Sequence, residues 1–226
     1  MKTIGIIGAM EVEVAILKEK MEDVRIIKKA SMDFYEGILA GKKVVVVRSG
    51  IGKVNAGICA QILADVFSVD AIINTGIAGS LNKNINIGDI VLSTDVVQHD
   101  MDATGFGYRK GQIPQMPVFF FNADDNLRRL AAEVCKEVNP DIQVFEGRIA
   151  SGDQFVCDQG VKDNIVKEFS AYAVEMEGAA IGQAAALNGI PFLIIRAISD
   201  KADNSANMDY PAFEKKAIEH SIRLLE

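Results

Sequence analysis

Continuous apolar runs alternate with amphipathic stretches along most of this chain, and that alternation predicts its elements. Residues 3–8 form an apolar run expected to be a buried strand, and residues 11–21 carry Val14, Leu17 and Met21 on one helical face. Residues 33–39 and 43–48 flank Ala40-Gly41-Lys42, a hairpin signal, so some antiparallel pairing is expected. Gly50 and Gly52 open a helix over 53–66. Strands are expected over 71–74, 89–97 and 144–150, and helices over 124–138 and 161–169. A short apolar run at 171–174, a helix over 177–187, a strand over 192–197 and a last helix over 209–225 complete the pattern. Residues 102–118, rich in Gly and Pro, are expected to form a long functional loop. Strands apolar throughout, rather than alternating, belong in a sheet covered on both faces. The expected fold is α/β, a three-layer αβα sandwich around a mixed, mostly parallel central sheet, in one domain over residues 1–226.

Composition narrows the class. The chain has 226 residues, 49% hydrophobic and 24% charged, which suits one domain with a sizeable core. Its net charge of −7 and the lack of any basic run leave nucleic-acid binding without an electrostatic footprint. The opening apolar run is too short for a signal peptide, and no stretch approaches the roughly 18 apolar residues of a membrane span. Cys59, Cys135 and Cys157 are scattered, and His99 and His220 are the only histidines, so neither a zinc site nor a disulfide framework is expected. The expected setting is cytoplasmic and reduced, without nucleic-acid or membrane partners.

The chemistry concentrates in carboxylates. Glu175-Met176-Glu177 follows an apolar run, and the strand at 192–197 leads into Ser199-Asp200. Acidic side chains near a core are costly unless paired or used, and the carboxyl ends of strands are where open α/β sheets bind ligands. Small-residue turns recur at Gly8-Ala9-Met10, 49–53, 75–79 and 151–153, which suggests one crevice with a ligand held against the backbone. Gly52-Lys53 is not a P-loop, since Val47 and Val54 occupy the positions of its first glycine and its Ser/Thr. Gly5-Ile6-Ile7-Gly8 lies within a strand, so a dinucleotide fingerprint is missing as well. NAD and ATP are therefore disfavoured. Plainer roles stand beside these: Ser199 or Asp200 as a helix cap, Arg196 in a structural ion pair, Met176 and Phe155 as core.

Seven segments, 4–14, 49–57, 74–81, 99–108 (HDMDATGFGY), 151–156 (SGDQFV), 174–181 (VEMEGAAI) and 196–203 (RAISDKAD), together resemble the 5'-methylthioadenosine/S-adenosylhomocysteine nucleosidases of the purine nucleoside phosphorylase-like superfamily. They run the length of the chain in the expected order. The resemblance implies hydrolysis of the N-glycosidic bond of adenine nucleosides that carry a 5'-thioether. It also implies no metal or organic cofactor and a homodimer. It makes Asp200 the acid that protonates adenine N7, Ser199 its orienting neighbour, and Glu13 the water-activating carboxylate. Glu177 would take the ribose hydroxyls, Met176 the sugar face, and Phe155 and Val156 the adenine, with the Val156 backbone reading the purine edge, while Glu175 supports the site from behind. Arg196 would hold a carboxylate or the catalytic water. Met10, Ile51, Ala78 and Tyr210 would line the ribose and 5'-thio region, and Ala103, Phe106 and Pro114 would come from the partner subunit.

Departures matter too. Asn74 and Ile77 stand where the phosphorylases have an arginine and a serine for phosphate, which favours water as nucleophile. Ala103 and Tyr210 replace a common valine and phenylalanine, leaving the 5'-group preference open. The alternatives are a phosphate-dependent phosphorylase, a hydrolase of another 5'-substituted nucleoside such as an aminodeoxyfutalosine, and a non-catalytic nucleoside-binding protein.

Overall fold

β1 (Thr3–Gly8) lies at the centre of the sheet, paired in parallel with β4 (Lys42–Arg48) on one side and β5 (Ala71–Ser80) on the other. This is a computed structural model that describes residues 2–203 and 206–226, the side chains of 207–212 excepted. Beyond β4, β3 (Met32–Leu39) and β2 (Glu22–Lys29) add antiparallel strands through hairpins. On the other side β5 pairs in parallel with β10 (Phe192–Asp200), the longest register in the sheet. β10 then meets β6 (Ile90–Gln98) antiparallel, with the short β7 (Phe121–Asn122) also on β6; β6 meets β8 (Val144–Ser151) in parallel, and β8 meets β9 (Ala173–Glu175) in parallel. β9 returns to β5 at Gly79 and Ser80, so this half of the mixed sheet curls round until it closes on itself.

Helices cover both faces. α2 (Lys53–Asp65) packs with α5 (Gly178–Leu187), whereas α6 (Ala206–Leu225) lies with α1 (Glu11–Glu19) and α3 (Asp125–Val138). All nine residues of β10 are buried, as expected for a strand covered on both sides. α3 starts at Asp124, whose carboxylate accepts from the N–H groups of Asn126 and Leu127 at 3.0 and 2.9 Å.

Three differences from the sequence pattern bear on the site. β2 escapes the pattern because seven of its eight residues are exposed, the apolar Val24 and Ile26 among them, so no buried apolar face announces it. β5 runs on through Thr75–Gly79, a segment expected to turn, because it pairs in parallel with Ile195–Asp200 of β10. β10 likewise extends to Asp200, so Ser199 and Asp200 end a strand instead of capping a helix, and α6 begins only at Ala206. Residues 102–118 are irregular apart from one 3-10 turn at Thr104–Phe106. Among the described residues no helix is long and apolar enough to cross a membrane, and no group of three or more His, Cys, Asp or Glu could hold a metal ion.

Candidate active site

The ends of β1, β4, β5, β9 and β10 surround a cavity of about 440 Å³. Its lining comes from Ala9, Met10 and Glu13 after β1, Ile51 after β4, and Ile77, Ala78 and Gly79 within β5. Phe155 follows β8, Val174 to Glu177 span the junction of β9 and α5, and Ser199 and Asp200 end β10.

Glu13 is the third residue of α1 and is buried, whereas Glu11 faces outward and pairs with Lys18 at 2.9 Å. One Glu13 oxygen, Oε2, accepts from the backbone N–H groups of Ala9 at 2.7 Å and Met10 at 2.9 Å. The other, Oε1, accepts from Ile77 N–H at 3.3 Å and so bridges α1 to β5. Burial pushes its pKa above the ordinary carboxylate value, with the Arg196 charge and those N–H donors opposing. A carboxylate tuned upward this way is a stronger base than one in water.

Behind the wall lies a buried ionic knot. Arg196 is 1% exposed, and its Nη2 donates to Asn74 Oδ1 at 2.6 Å and to Glu175 Oε2, with Glu177 Oε2 at 3.5 Å. Asn74 in turn donates to Ile7 O at 2.9 Å. Glu175 also accepts from Ser151 Oγ and from the N–H groups of Glu177 and Gly178. Its charge thus meets the exposed donors of the α5 N-terminus. Glu177, the N-cap of α5, accepts from Gly52 N–H at 2.9 Å. Burial first, then repulsion from Glu175, raises its pKa to about 7 against the pull of Arg196. Both acids line the cavity, but Glu175 is held by Arg196, Ser151 and the α5 N–H groups, whereas Glu177 has a weakened hold on its charge.

Asp200 is 2% exposed, with Oδ2 accepting from Ser199 Oγ and Oδ1 from Ala202 N–H, each at 2.8 Å. Two glycines of β5 make room for these groups. A Cβ at Gly76 would overlap the Arg196 guanidinium and lie 2.6 Å from Glu13 Oε1, and one at Gly79 would lie 2.8 Å from Asp200 Oδ1.

Of the residues singled out in the sequence, Glu13, Glu175, Glu177, Asp200, Met176, Phe155, Ser199, Met10, Ile51 and Ala78 line the cavity. Arg196 and Val156 do not. The guanidinium is occupied by Asn74 and the glutamates, and Val156 packs its side chain into a second apolar cluster with Val97, Phe169 and Val174. Ala103, Phe106 and Pro114 lie outside the lining, Phe106 being 87% exposed on its 3-10 turn. The Tyr210 side chain lies outside the described residues. Sequence reasoning gave no sign that the Gly52 N–H would serve Glu177, or that Ser151 would hold Glu175. A lone Asn74 in an apolar strand was the available clue to the buried knot.

The family model described as Phosphorylase superfamily matches residues 3–226. A 5'-methylthioadenosine/S-adenosylhomocysteine nucleosidase of Anoxybacillus flavithermus is 47% identical over 224 residues, 99% of this chain and 96% of that protein. The crystal structure of such a nucleosidase from Neisseria meningitidis, in complex with methylthio-immucillin-A, superposes with a TM-score of 0.95 at 42% identity, covering 100% of this chain and 97% of that one. A futalosine hydrolase mutant of Helicobacter pylori superposes with a TM-score of 0.93 at 37% identity, covering 100% and 97%. With carboxylates at three strand ends around one cavity and these relatives along its whole length, the chain belongs to the phosphorylase superfamily and, within it, to the 5'-methylthioadenosine/S-adenosylhomocysteine nucleosidases.

Proposed function

We propose that this chain is a hydrolase that cleaves the N-glycosidic bond of 5'-methylthioadenosine and S-adenosylhomocysteine, releasing adenine and the 5-thioribose. The observation that carries the reading is the meeting of Glu13, Glu177 and Asp200, from three different elements, on one cavity of about 440 Å³. Departure of adenine needs a proton on the base, stabilisation of a ribosyl cation, and an aimed water. Asp200 gives its proton to adenine N7, with the Ser199 hydroxyl orienting it. The lining carboxylates favour the oxocarbenium character of the ribosyl ring, as in glycoside hydrolysis. Glu177 accepts from the 2' and 3' hydroxyls, and Glu13 takes the proton of the attacking water. Phe155 covers the adenine and Met176 the sugar face.

Water is favoured over phosphate by the charges around it. Glu13, Glu175, Glu177 and Asp200 line the cavity, no cation does among the described residues, and Arg196 lies behind that lining with its Nη2 on Asn74 and Glu175. A phosphate dianion would meet carboxylates, and Ile77 offers it no side-chain donor.

The reading includes a homodimer in which the 103–114 segment covers the neighbouring pocket, a role suited to an aromatic as exposed as Phe106. It also includes a reducing, cytoplasmic setting, which suits the free, buried Cys59 and Cys135.

The test is chromatographic detection of adenine from methylthioadenosine, with and without inorganic phosphate. Equal release with free methylthioribose is expected; release only with phosphate would make the enzyme a phosphorylase. The futalosine hydrolase neighbour favours one second reading, a different 5'-substituted adenine nucleoside, and aminodeoxyfutalosine in the same assay tests it.

A further inference from the structure

A second cavity of about 460 Å³ opens beside the first, and Ala9, Met10 and Ile51 line both. The two linings differ in charge. The first carries four carboxylates and, among the described residues, no cation. The second carries one acid and one base, Glu11 and Arg48, with Ser31 and Asn55 beside them.

Arg48 ends β4 in register with Gly8, so it stands next to the turn that brings Ala9 and Met10 to the shared wall. Its side chain is 57% exposed and its approach to Glu11 is loose, with Nε 3.8 Å from Oε2. Glu11 is held more closely by Lys18, at 2.9 and 3.0 Å. The five-donor fork of Arg48 therefore stays open to another carboxylate.

We propose that this second cavity is the subsite for a 5'-substituent ending in a carboxylate, as the homocysteinyl group of S-adenosylhomocysteine does. Arg48 takes the carboxylate and Glu11 the α-ammonium. The inference rests on the function proposed above, in which Met10 and Ile51 border the 5' end of the nucleoside. A terminal carboxylate is repelled by the acidic first lining, and the shared wall leads it to a chamber with a cation. A methylthio group ends at that wall and carries no charge, so methylthioadenosine has no use for Arg48 or Glu11.

The experiment compares the two substrates in the same variants. Arg48→Met is expected to lower kcat/KM for S-adenosylhomocysteine about fivefold, the effect of a partly exposed ion pair near ~1 kcal/mol. Turnover of methylthioadenosine should stay within about twofold, as should that of a 5'-alkylthioadenosine with an uncharged tail of equal length. Arg48→Glu should widen the gap between substrates to tenfold or more on the order of a repelled like charge, and Glu11→Gln should act in the same direction more weakly. Added salt should raise the KM for S-adenosylhomocysteine in the wild type but not in Arg48→Met. Equal changes for charged and uncharged tails, or none for either, would overturn the subsite. Failure of the wild type to cleave methylthioadenosine would instead overturn the proposed function.

Discussion

The smallest perturbation with the largest expected effect is a single methyl group at Gly76. This residue pairs across the sheet with Arg196, and the guanidinium lies over the space where a side chain would be. In Gly76→Ala the new Cβ would fall 2.6 Å from Glu13 Oε1, where ordinary contact starts at 3.4 Å, so that oxygen must retreat by about 0.8 Å. Arg196 must move further, and it cannot do so without loosening Asn74, Glu175 and Glu177. Overpacking of this kind costs about 1–3 kcal/mol, which for a chain of this size lowers Tm by roughly 2–12 °C. A misplacement near 1 Å costs about 100-fold in rate. The assay is adenine release from methylthioadenosine, with kcat and KM measured separately on protein whose thermal melt shows it folded. The expected result is a fall in kcat of about two orders of magnitude. A folded Gly76→Ala enzyme with kcat within threefold of wild type, on the order of 0.6 kcal/mol, would refute the assignment of Glu13 to the reacting water.

Asp200→Asn keeps the shape of the acid and removes its proton, so adenine release should fall by about 10²–10⁴ while nucleoside binding persists, measurable by calorimetry. Near-normal turnover would move the acid elsewhere. Glu177 has its pKa raised to about 7 from 4.5, so the folded state favours its neutral form and loses stability as pH rises through that interval. Glu177→Gln should therefore gain in Tm over wild type between pH 5 and pH 8, with a ceiling of about 3 kcal/mol, while its kcat/KM falls. A Tm difference independent of pH would show that Glu177 titrates normally. Gly57, inside α2, has open space where a Cβ would go, so Gly57→Ala should stabilise by about 0.5–1 kcal/mol, read as a rise in Tm; a fall would mean that something covers that position.

The parts of the fold that were legible in the sequence are those with a local signature. β1, β4, α2 and α3 announce themselves by apolar runs, helical spacing and caps, whereas Glu13 was marked by the family resemblance. The reach of β5 and β10 was hidden, because Thr75–Gly79 is held extended by pairing with Ile195–Asp200, more than a hundred residues away in sequence. Arg196 approaches Gly76 from the far end of the chain, and no local pattern encodes that. The same holds for Gly52, whose glycine suggests a turn while its N–H serves a carboxylate more than a hundred residues away. Chemistry-bearing residue types were visible one by one and their roles were implied by the resemblance, whereas the contacts that hold Glu175 and Glu177, from Ser151, Arg196 and Gly52, were not legible.

β1 and β10 flank β5, each in parallel register with it. The proposed base follows the first and the proposed acid ends the last, so the gap between them is counted in strands, at about 4.8 Å each. Backbone pairing fixes that gap, and substitutions on the pocket rim leave it alone. The groups proposed to meet the 5' substituent, by contrast, sit where elements end: Met10 and Ile51 on turns, Arg48 at the last position of β4 and Glu11 at the first of α1. Such a scaffold can exchange one nucleoside tail for another by altering loops while its proton-transfer distances stay the same. A nucleosidase and a futalosine hydrolase can then share one backbone plan and differ mainly along its border.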